Sequence, residues 1–269
     1  MPFYFRIMSA RIVTDHTGYP VRIAHQVQRI VSLVPSQTEL LADLGLEKEV
    51  VGITKFCVHP PGWRKQKTMV GGTKNFRVDD IRRLKPDLII GNKEENHREG
   101  IEQLRTEFPV WVSDVRSLPD AFSLITDIGE ITGCRQQAQT LRQRVESAFS
   151  QMEKLPPLRT LYLIWHKPWM GAASDTFIHA MLEVAGLENA LAHASRYPAL
   201  SEKDIRQLQP EMVMLSSEPY PFRVHHEETL RRLLPDSAII RVDGQMFSWY
   251  GSRLLHFPDY IACLKSRLS

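Results

Sequence analysis

Long apolar runs are missing from this sequence. No segment approaches the roughly 18–20 apolar residues that cross a bilayer, so no membrane-spanning helix is expected. The N-terminal stretch is broken by Arg6, Arg11, Asp15 and His16. It therefore lacks the uninterrupted apolar block of roughly 7–15 residues that a secretory signal needs. A cytoplasmic location is the expectation, and a periplasmic one would need an export segment ahead of Met1. Cysteine is scarce: Cys57, Cys134 and Cys263 are far apart and form no CxxC pair. That argues against a disulfide framework or a zinc knuckle, and a reducing compartment fits. Neither charge sign dominates, since 34 Lys and Arg against 31 Asp and Glu leave a net charge of +3. A balance that small gives no global attraction to nucleic acid or to an anionic membrane. The common catalytic signatures, GxSxG, GxxxxGK[ST], HExxH and GxGxxG after a strand, are also missing.

What is present is an ordinary globular composition, 43% apolar over 269 residues. That length suits one large domain or two lobes, each with its own core. The apolar run IVSLV (30–34) reads as a buried strand. A helix follows it, with Ser36 or Thr38 as cap, Glu39 completing a capping box after Ser36, and Gly45 ending it. Strands at 50–53, 88–90 and 110–112 alternate with helices at 78–84 and 99–108. Residues 119–155 carry apolar residues at helical spacing and no strand-like run. They predict a long connecting helix, or two abutting helices broken at Gly133. The pattern restarts with strands at 160–165, 212–215 and 238–242 and helices at 176–185, 202–208 and 227–234. This alternation predicts an α/β fold with parallel sheets.

An internal repeat divides the chain. DIRRLKPDLII (80–90) is echoed by DIRQLQPEMVM (204–214), and LADLGLE (41–47) by LEVAGLE (182–188). Arg29 and Arg159 each open a first strand. Ordered agreement at several points predicts two Rossmann-like lobes. They would be an N-terminal lobe over 1–118, a connecting helix over 119–155 and a C-terminal lobe over 156–269. Residues before Arg29 form an extension with a hairpin around Thr17-Gly18-Tyr19-Pro20. In such sheets ligands bind at the carboxyl ends of the strands, so a ligand cleft between the lobes is expected.

The loops at those ends supply the candidate ligand-binding residues. Pro35 and Ser36 open the first helix, where backbone N–H groups can hold a polar group, or where Ser36 simply caps. Phe56, Cys57 and His59 follow the second strand. The last two are metal-compatible types, but two ligands make no site, so no metal site is assigned. Lys74 sits beside Gly71-Gly72, and Lys93, Glu94 and Asn96 follow the third strand in a charge run that also reads as a solvated helix start. In the second half, WHKPWMG (165–171) brings Trp165 and Trp169, indoles that suit a flat, partly apolar ligand or a core lid. Tyr197 lies on the same side. MFSWYGSR (246–253) adds Phe247, Trp249, Tyr250 and Arg253. His225-His226 point in different directions on a helix and are not read as a metal pair. An enzyme reading would use Glu94, Glu95 or His59 as acid or base.

RIVSLVPSQTELLADLGL, then VVGIT, VGG and VDDIRRLKPDLII, resemble the class III periplasmic-type binding proteins. These are the cobalamin- and siderophore-binding components of ABC importers, also called helical-backbone metal receptors. The likeness runs from about Val13 to the C-terminus. It implies two α/β lobes on one rigid helix, a binding role rather than an enzymatic one, and no required cofactor. The ligand it implies is a corrinoid or ferric siderophore-type chelate, and NKEEN and MFSWYGSRLL look like a cobalamin-binding subgroup. Trp165, Trp169, Trp249 and Tyr250 would then cover the ligand, and Lys74, Lys93 and Arg253 would meet its polar groups. The resemblance further implies an ABC permease partner, docked through one acidic residue per lobe. Asp79 fills the first position. At the second stands Lys203 beside Glu202, which together with the missing leader points to a cytosolic binding or sensing protein as the alternative. A monomer without nucleic-acid partners is expected.

Overall fold

The computed structural model describes residues 10–268. Its chain falls into two compact units. The first comprises the described residues up to Val115, Phe122–Arg144 and Tyr250–Ser252; the second comprises Arg116–Ala121, Val145–Trp249 and the described residues from Arg253 on.

The first unit is built on a five-stranded parallel sheet. Its spatial order is Thr68–Met69, Val50–Ile53, Ile30–Ser32, Leu88–Asn92 and Val110–Ser113. The central strands are short and buried, apolar but for Ser32 and Asn92 at their carboxyl ends, as in a parallel sheet covered on both faces. Val31, Leu33, Ile81, Ile89, Leu104 and Val112 form its buried core. The hairpin expected around Gly18 is present, with Ala10–Thr14 antiparallel to Pro20–Ala24. Asp15 anchors it. Its fully buried carboxylate accepts from the N–H groups of Thr17, Tyr19 and Val112, from the Thr17 hydroxyl, and from Arg105 at 2.6 Å.

The second unit has a six-stranded sheet. Arg159–Trp165, Met212–Ser216 and Ala238–Val242 are parallel. Trp169–Gly171 runs antiparallel to the first of these, and Ala199–Leu200 antiparallel to Trp169–Gly171. Glu188–Asn189 pairs in parallel with the start of Arg159–Trp165. The three strands expected here are the parallel ones, and the two antiparallel strands were not foreseen. The difference arises at a tight turn, where Lys167 takes a left-handed φ of 69° and reverses the chain. Leu161, Leu163, Ile205, Val213, Leu215 and Leu230 fill this core. Phe257–Leu268, a helix the sequence reading did not contain, buries Phe257, Ile261 and Leu264.

The repeat has a structural counterpart in each unit. Helix Val78–Leu84 precedes strand Leu88–Asn92, and helix Glu202–Leu208 precedes Met212–Ser216. Both helices end on a left-handed residue, Lys85 at φ 47° and Gln209 at φ 43°. Arg29 donates from Nε to the Leu84 carbonyl at 2.8 Å, and Arg159 from Nε to the Leu208 carbonyl at 2.9 Å. Each arginine thereby satisfies a helix-end carbonyl that has no partner inside the helix. Asp87 and Glu211 accept the N–H groups of the same two arginines at 2.8 Å.

Residues 119–155 do not form one helix. Leu118–Thr132 and Arg135–Ser150 are separate, with Gly133 between them at φ 80°. Gly129 lets the two helices touch: a Cβ there would sit 2.2 Å from that of Ala138. Helix Pro35–Asp43 also differs from expectation. Pro35 occupies the first turn, Val34 is the N-cap, and no side chain caps it. Thr38 Oγ1 instead bonds back to the Val34 carbonyl at 2.9 Å.

Candidate functional site

In the first unit the strand carboxyl ends hold a buried polar cluster. Ser32, Ser36, Gln37, Thr38, Thr54, Asn92 and Ser113 are all buried there. Asn92 donates to Ser113 Oγ at 3.0 Å, and Gln37 donates to the same hydroxyl. Tyr250 is buried beside Ser36 and Ser113. Burial, with Glu95 and Glu94 nearby, pushes its pKa well above the usual phenol value.

Cys57 lies inside this cluster and is fully buried. Its sulfur is 3.0 Å from Thr38 Oγ1 and 3.2 Å from Thr54 Oγ1. Burial raises the thiol pKa against the pull of those hydroxyls. A buried, protonated thiol is a packing group and a poor metal ligand, so Cys57 leaves the ligand-facing set. Asn96 is buried too, and backbone occupies its amide: Nδ2 donates to the Thr73 carbonyl and Oδ1 accepts from the Asn92 N–H, each at 2.8 Å. It ties two loops together. Around the cluster, Phe56 is exposed, His59 and Glu94 are half-buried, and Lys74 is exposed. Exposed Lys93 pairs with Asp114 at 2.7 Å.

In the second unit the matching strand ends carry a Trp249–Glu218–Arg253 group. Trp249 donates from Nε1 to the Glu218 carboxylate at 2.8 Å, and Ser248 donates to the same oxygen at 3.0 Å. The Arg253 guanidinium lies over the Trp249 ring, 5.2 Å from its centroid, and both residues are mostly buried. Burial raises the Glu218 pKa, opposed by the two hydrogen bonds and by Arg253. The sequence reading missed Glu218. Its signal was its place just after strand Met212–Ser216, on the same end as Trp249.

Beside this group, Trp165 ends its strand 39% exposed, its ring edge-on to Tyr220 at 5.3 Å. His166 packs between Trp169 and His226, with centroids at 4.3 and 4.7 Å. His226 accepts the Arg223 N–H at Nδ1 and meets the Tyr220 hydroxyl at Nε2. Burial lowers the pKa of both imidazoles and keeps them neutral near pH 7.

Of the aromatic residues expected to cover the ligand only Trp165 is well exposed; Trp249 is 7% and Tyr250 5% exposed, and two others lie in the interior. Trp169 is 6% exposed and stacks on Phe222, and Phe247 is fully buried against Tyr162, Phe257 and Tyr260. The apolar surface of each is spent on its own unit's packing. Tyr197 is half-buried with the Arg196 guanidinium over its ring. Asp79 is exposed and paired with Arg82 at 2.7 Å. Glu202 and Lys203 are exposed in the first turn of their helix, which Ser201 and Asp204 close with a capping box. Among the described residues no cluster of three or more His, Cys, Asp or Glu is placed to hold a metal ion.

Exposed Trp165 and the Trp249–Arg253 pair, at the strand ends of the second unit, suit the binding of a partly apolar ligand. The family model described as periplasmic binding protein matches residues 30–232, most of the chain. The chain belongs to the periplasmic binding protein family. It is 26% identical over 216 residues to the ABC transporter substrate-binding lipoprotein YvrC of Bacillus subtilis, covering 75% of this chain and 68% of that one. Two solved structures share the fold with a TM-score of 0.76 and 22% identity. One is the periplasmic vitamin B12 binding protein BtuF of Vibrio cholerae, covering 90% of this chain and 96% of that one. The other is the periplasmic heme-binding protein RhuT of Roseiflexus sp. RS-1, covering 90% and 99%. Membership of this family makes the chain a binding protein and not an enzyme.

Proposed function

We propose that this periplasmic binding protein is the substrate-binding component of an ABC importer and that its ligand is a corrinoid. The Trp249–Arg253 stack carries the reading. It sets an indole and a cation at one point, 7% and 9% exposed, whose rims suit a partly apolar ligand fringed by amide and phosphate groups. Exposed Trp165 supplies a second aromatic surface. On the first unit taken by itself, Lys74, Lys93 and Glu94 are the exposed or half-buried polar groups that the proposal offers a ligand. The vitamin B12 binding protein among the structural relatives supports the corrinoid, and the heme-binding relative sets its main competitor.

The deciding experiment is a titration with cyanocobalamin, dicyanocobinamide, ferrichrome and hemin. Tryptophan fluorescence and visible absorbance would report binding. Quenching by the two corrinoids at submicromolar concentration is expected. Tighter binding of hemin would replace the corrinoid, and no binding across the panel would overturn the reading.

Docking onto a permease would use Asp79 and Glu202. Exposed Lys203 beside Glu202 is the observation behind the alternative, a binding or sensing protein without a permease. Like charges would repel where a permease presents arginine. Reconstitution with candidate permeases in nanodiscs separates the two, since Lys203→Glu should strengthen docking only if docking occurs through that helix.

A further inference from the structure

Between Glu49 and Asp79 the chain contains no Asp or Glu, yet it carries Lys55, Arg64, Lys65, Lys67, Lys74 and Arg77. The near-neutral total therefore hides a strong local excess of positive charge. This segment wraps the free edge of the sheet in the first unit. Thr68–Met69 is the edge strand, pairing only with Val50–Ile53. The Lys55 N–H donates to the Gly71 carbonyl at 2.8 Å, which lays the loop after Ile53 along that edge.

Three large apolar side chains stand out of the same segment: Phe56 is 50% exposed, Val58 40% and Met69 41%. Phe56 sits over Gly72, where a Cβ would come within 3.3 Å of its ring. The short helix Trp63–Gln66 turns Arg64 and Lys65 outward, and both are exposed. Neither they nor Lys55 and Lys74 pair with a carboxylate among the described residues. Lys67 is held over the Trp63 ring, and Arg77 is paired with Asp80.

We propose that this edge is a peripheral docking surface for an anionic lipid bilayer. Unpaired cations alone would suit any polyanion. Exposed Phe, Val and Met among them add what a bilayer interface rewards, apolar groups entering the headgroup boundary while cations meet lipid phosphate. The interaction is superficial, since no helix among the described residues is long and apolar enough to span a membrane. It shares only Lys74 with the proposed ligand contacts, so Arg64, Lys65 and Phe56 carry its test.

The test is co-sedimentation of the whole chain with vesicles of phosphatidylcholine alone and of phosphatidylcholine with 25% phosphatidylglycerol. Binding is expected only to the second, and it should be lost in 0.5 M salt, where the screening length falls to a few ångströms. Arg64→Gln with Lys65→Gln should lower partitioning about 25-fold, because each cation near such a surface contributes about a fivefold factor. Circular dichroism and corrinoid affinity should stay unchanged in that variant, because both side chains are exposed and outside the proposed ligand contacts. Phe56→Asp should weaken binding further at low salt. Equal sedimentation with both vesicle types, or none with either, overturns the proposal. Binding to soluble polyglutamate as tight as to acidic vesicles, with Phe56→Asp without effect, also overturns it and assigns the edge to an acidic polypeptide.

Discussion

The indole Nε1–H of Trp249 donates to the Glu218 carboxylate at 2.8 Å, so a partly buried acid fixes the plane of the proposed ligand-facing ring. Arg253 lies over that ring and offsets the acid's charge. Three side chains from two loops are thereby held as one group.

Glu218 gives the second unit a pH signature. Its pKa is raised in the fold by burial. A raised pKa means the folded chain holds the proton more tightly than the unfolded chain does. That contribution to stability is full below the unfolded value of about 4.3 and is lost as pH rises through the folded value. Glu218→Gln cannot titrate and keeps an acceptor for Trp249. The stability of the wild type relative to this variant should be highest near pH 4 and fall toward pH 7. Urea denaturation at pH 4, 5.5 and 7 reads the gap, and a gap that widens with pH would contradict the assignment.

The two indoles of WHKPWMG should separate cleanly. Trp169 is a core residue and Trp165 is not. Trp169→Ala should cost about 3–5 kcal/mol of stability, the usual range for emptying a large buried aromatic site. Trp165→Ala should cost below about 1 kcal/mol, as at most surface positions. It should nevertheless weaken corrinoid binding by about tenfold or more, through lost ring contact. Thermal melts and the fluorescence titration, run on both variants, test the pair together.

The fate of those indoles shows where sequence reading stops. The strand-and-helix order was legible because apolar runs, Gly and Pro punctuate it strongly. So was the repeat, whose Arg29 and Arg159 turn out to bond equivalent helix-end carbonyls. Exposure was not legible. Trp165 and Trp169 are four residues apart in one aromatic loop, and only the reversal at Lys167 turns one outward and one into the core. Cys57 looked like a loop thiol because its burial depends on Thr38, far away in sequence. Glu218 was missed because its partners are Ser248 and Trp249, at a distance no local pattern encodes.

Thiol labelling checks the reassignment of Cys57. Cys263 is exposed, Cys134 intermediate and Cys57 buried, and none forms a disulfide. Burial also raises the pKa of Cys57, which lowers its thiolate fraction at neutral pH. In native protein at pH 8, Cys263 should react first with a thiol reagent and Cys57 last. Labelling of Cys57 should become fast only in denaturant. Peptide mapping by mass spectrometry identifies each site, and rapid native labelling of Cys57 would return it to the candidate ligand contacts.

The hairpin should depend on a single carboxylate. Asp15 is buried and receives backbone N–H groups from its own turn and from Val112, together with the Arg105 guanidinium, whose side chain is only 9% exposed. Removing one member of such a pair leaves the other charge buried, here with only the half-exposed Glu102 at 3.0 Å and the Tyr19 ring to offset it, at a cost of up to about 3–5 kcal/mol. Asp15→Ala should therefore destabilise the first unit by about that much. The loss has two parts, the stranded Arg105 and the unmet N–H groups, and a second variant separates them. Asp15→Ala with Arg105→Leu removes the stranded charge, so it should recover part of the loss and leave the cost of the N–H groups. Denaturation of the two variants beside the wild type measures both. A loss below about 1 kcal/mol in the single variant, the range of surface ion pairs, would show that the hairpin is held by its other ties, His16 to Asp127 at 2.9 Å and Arg11 to Glu130 at 3.0 Å.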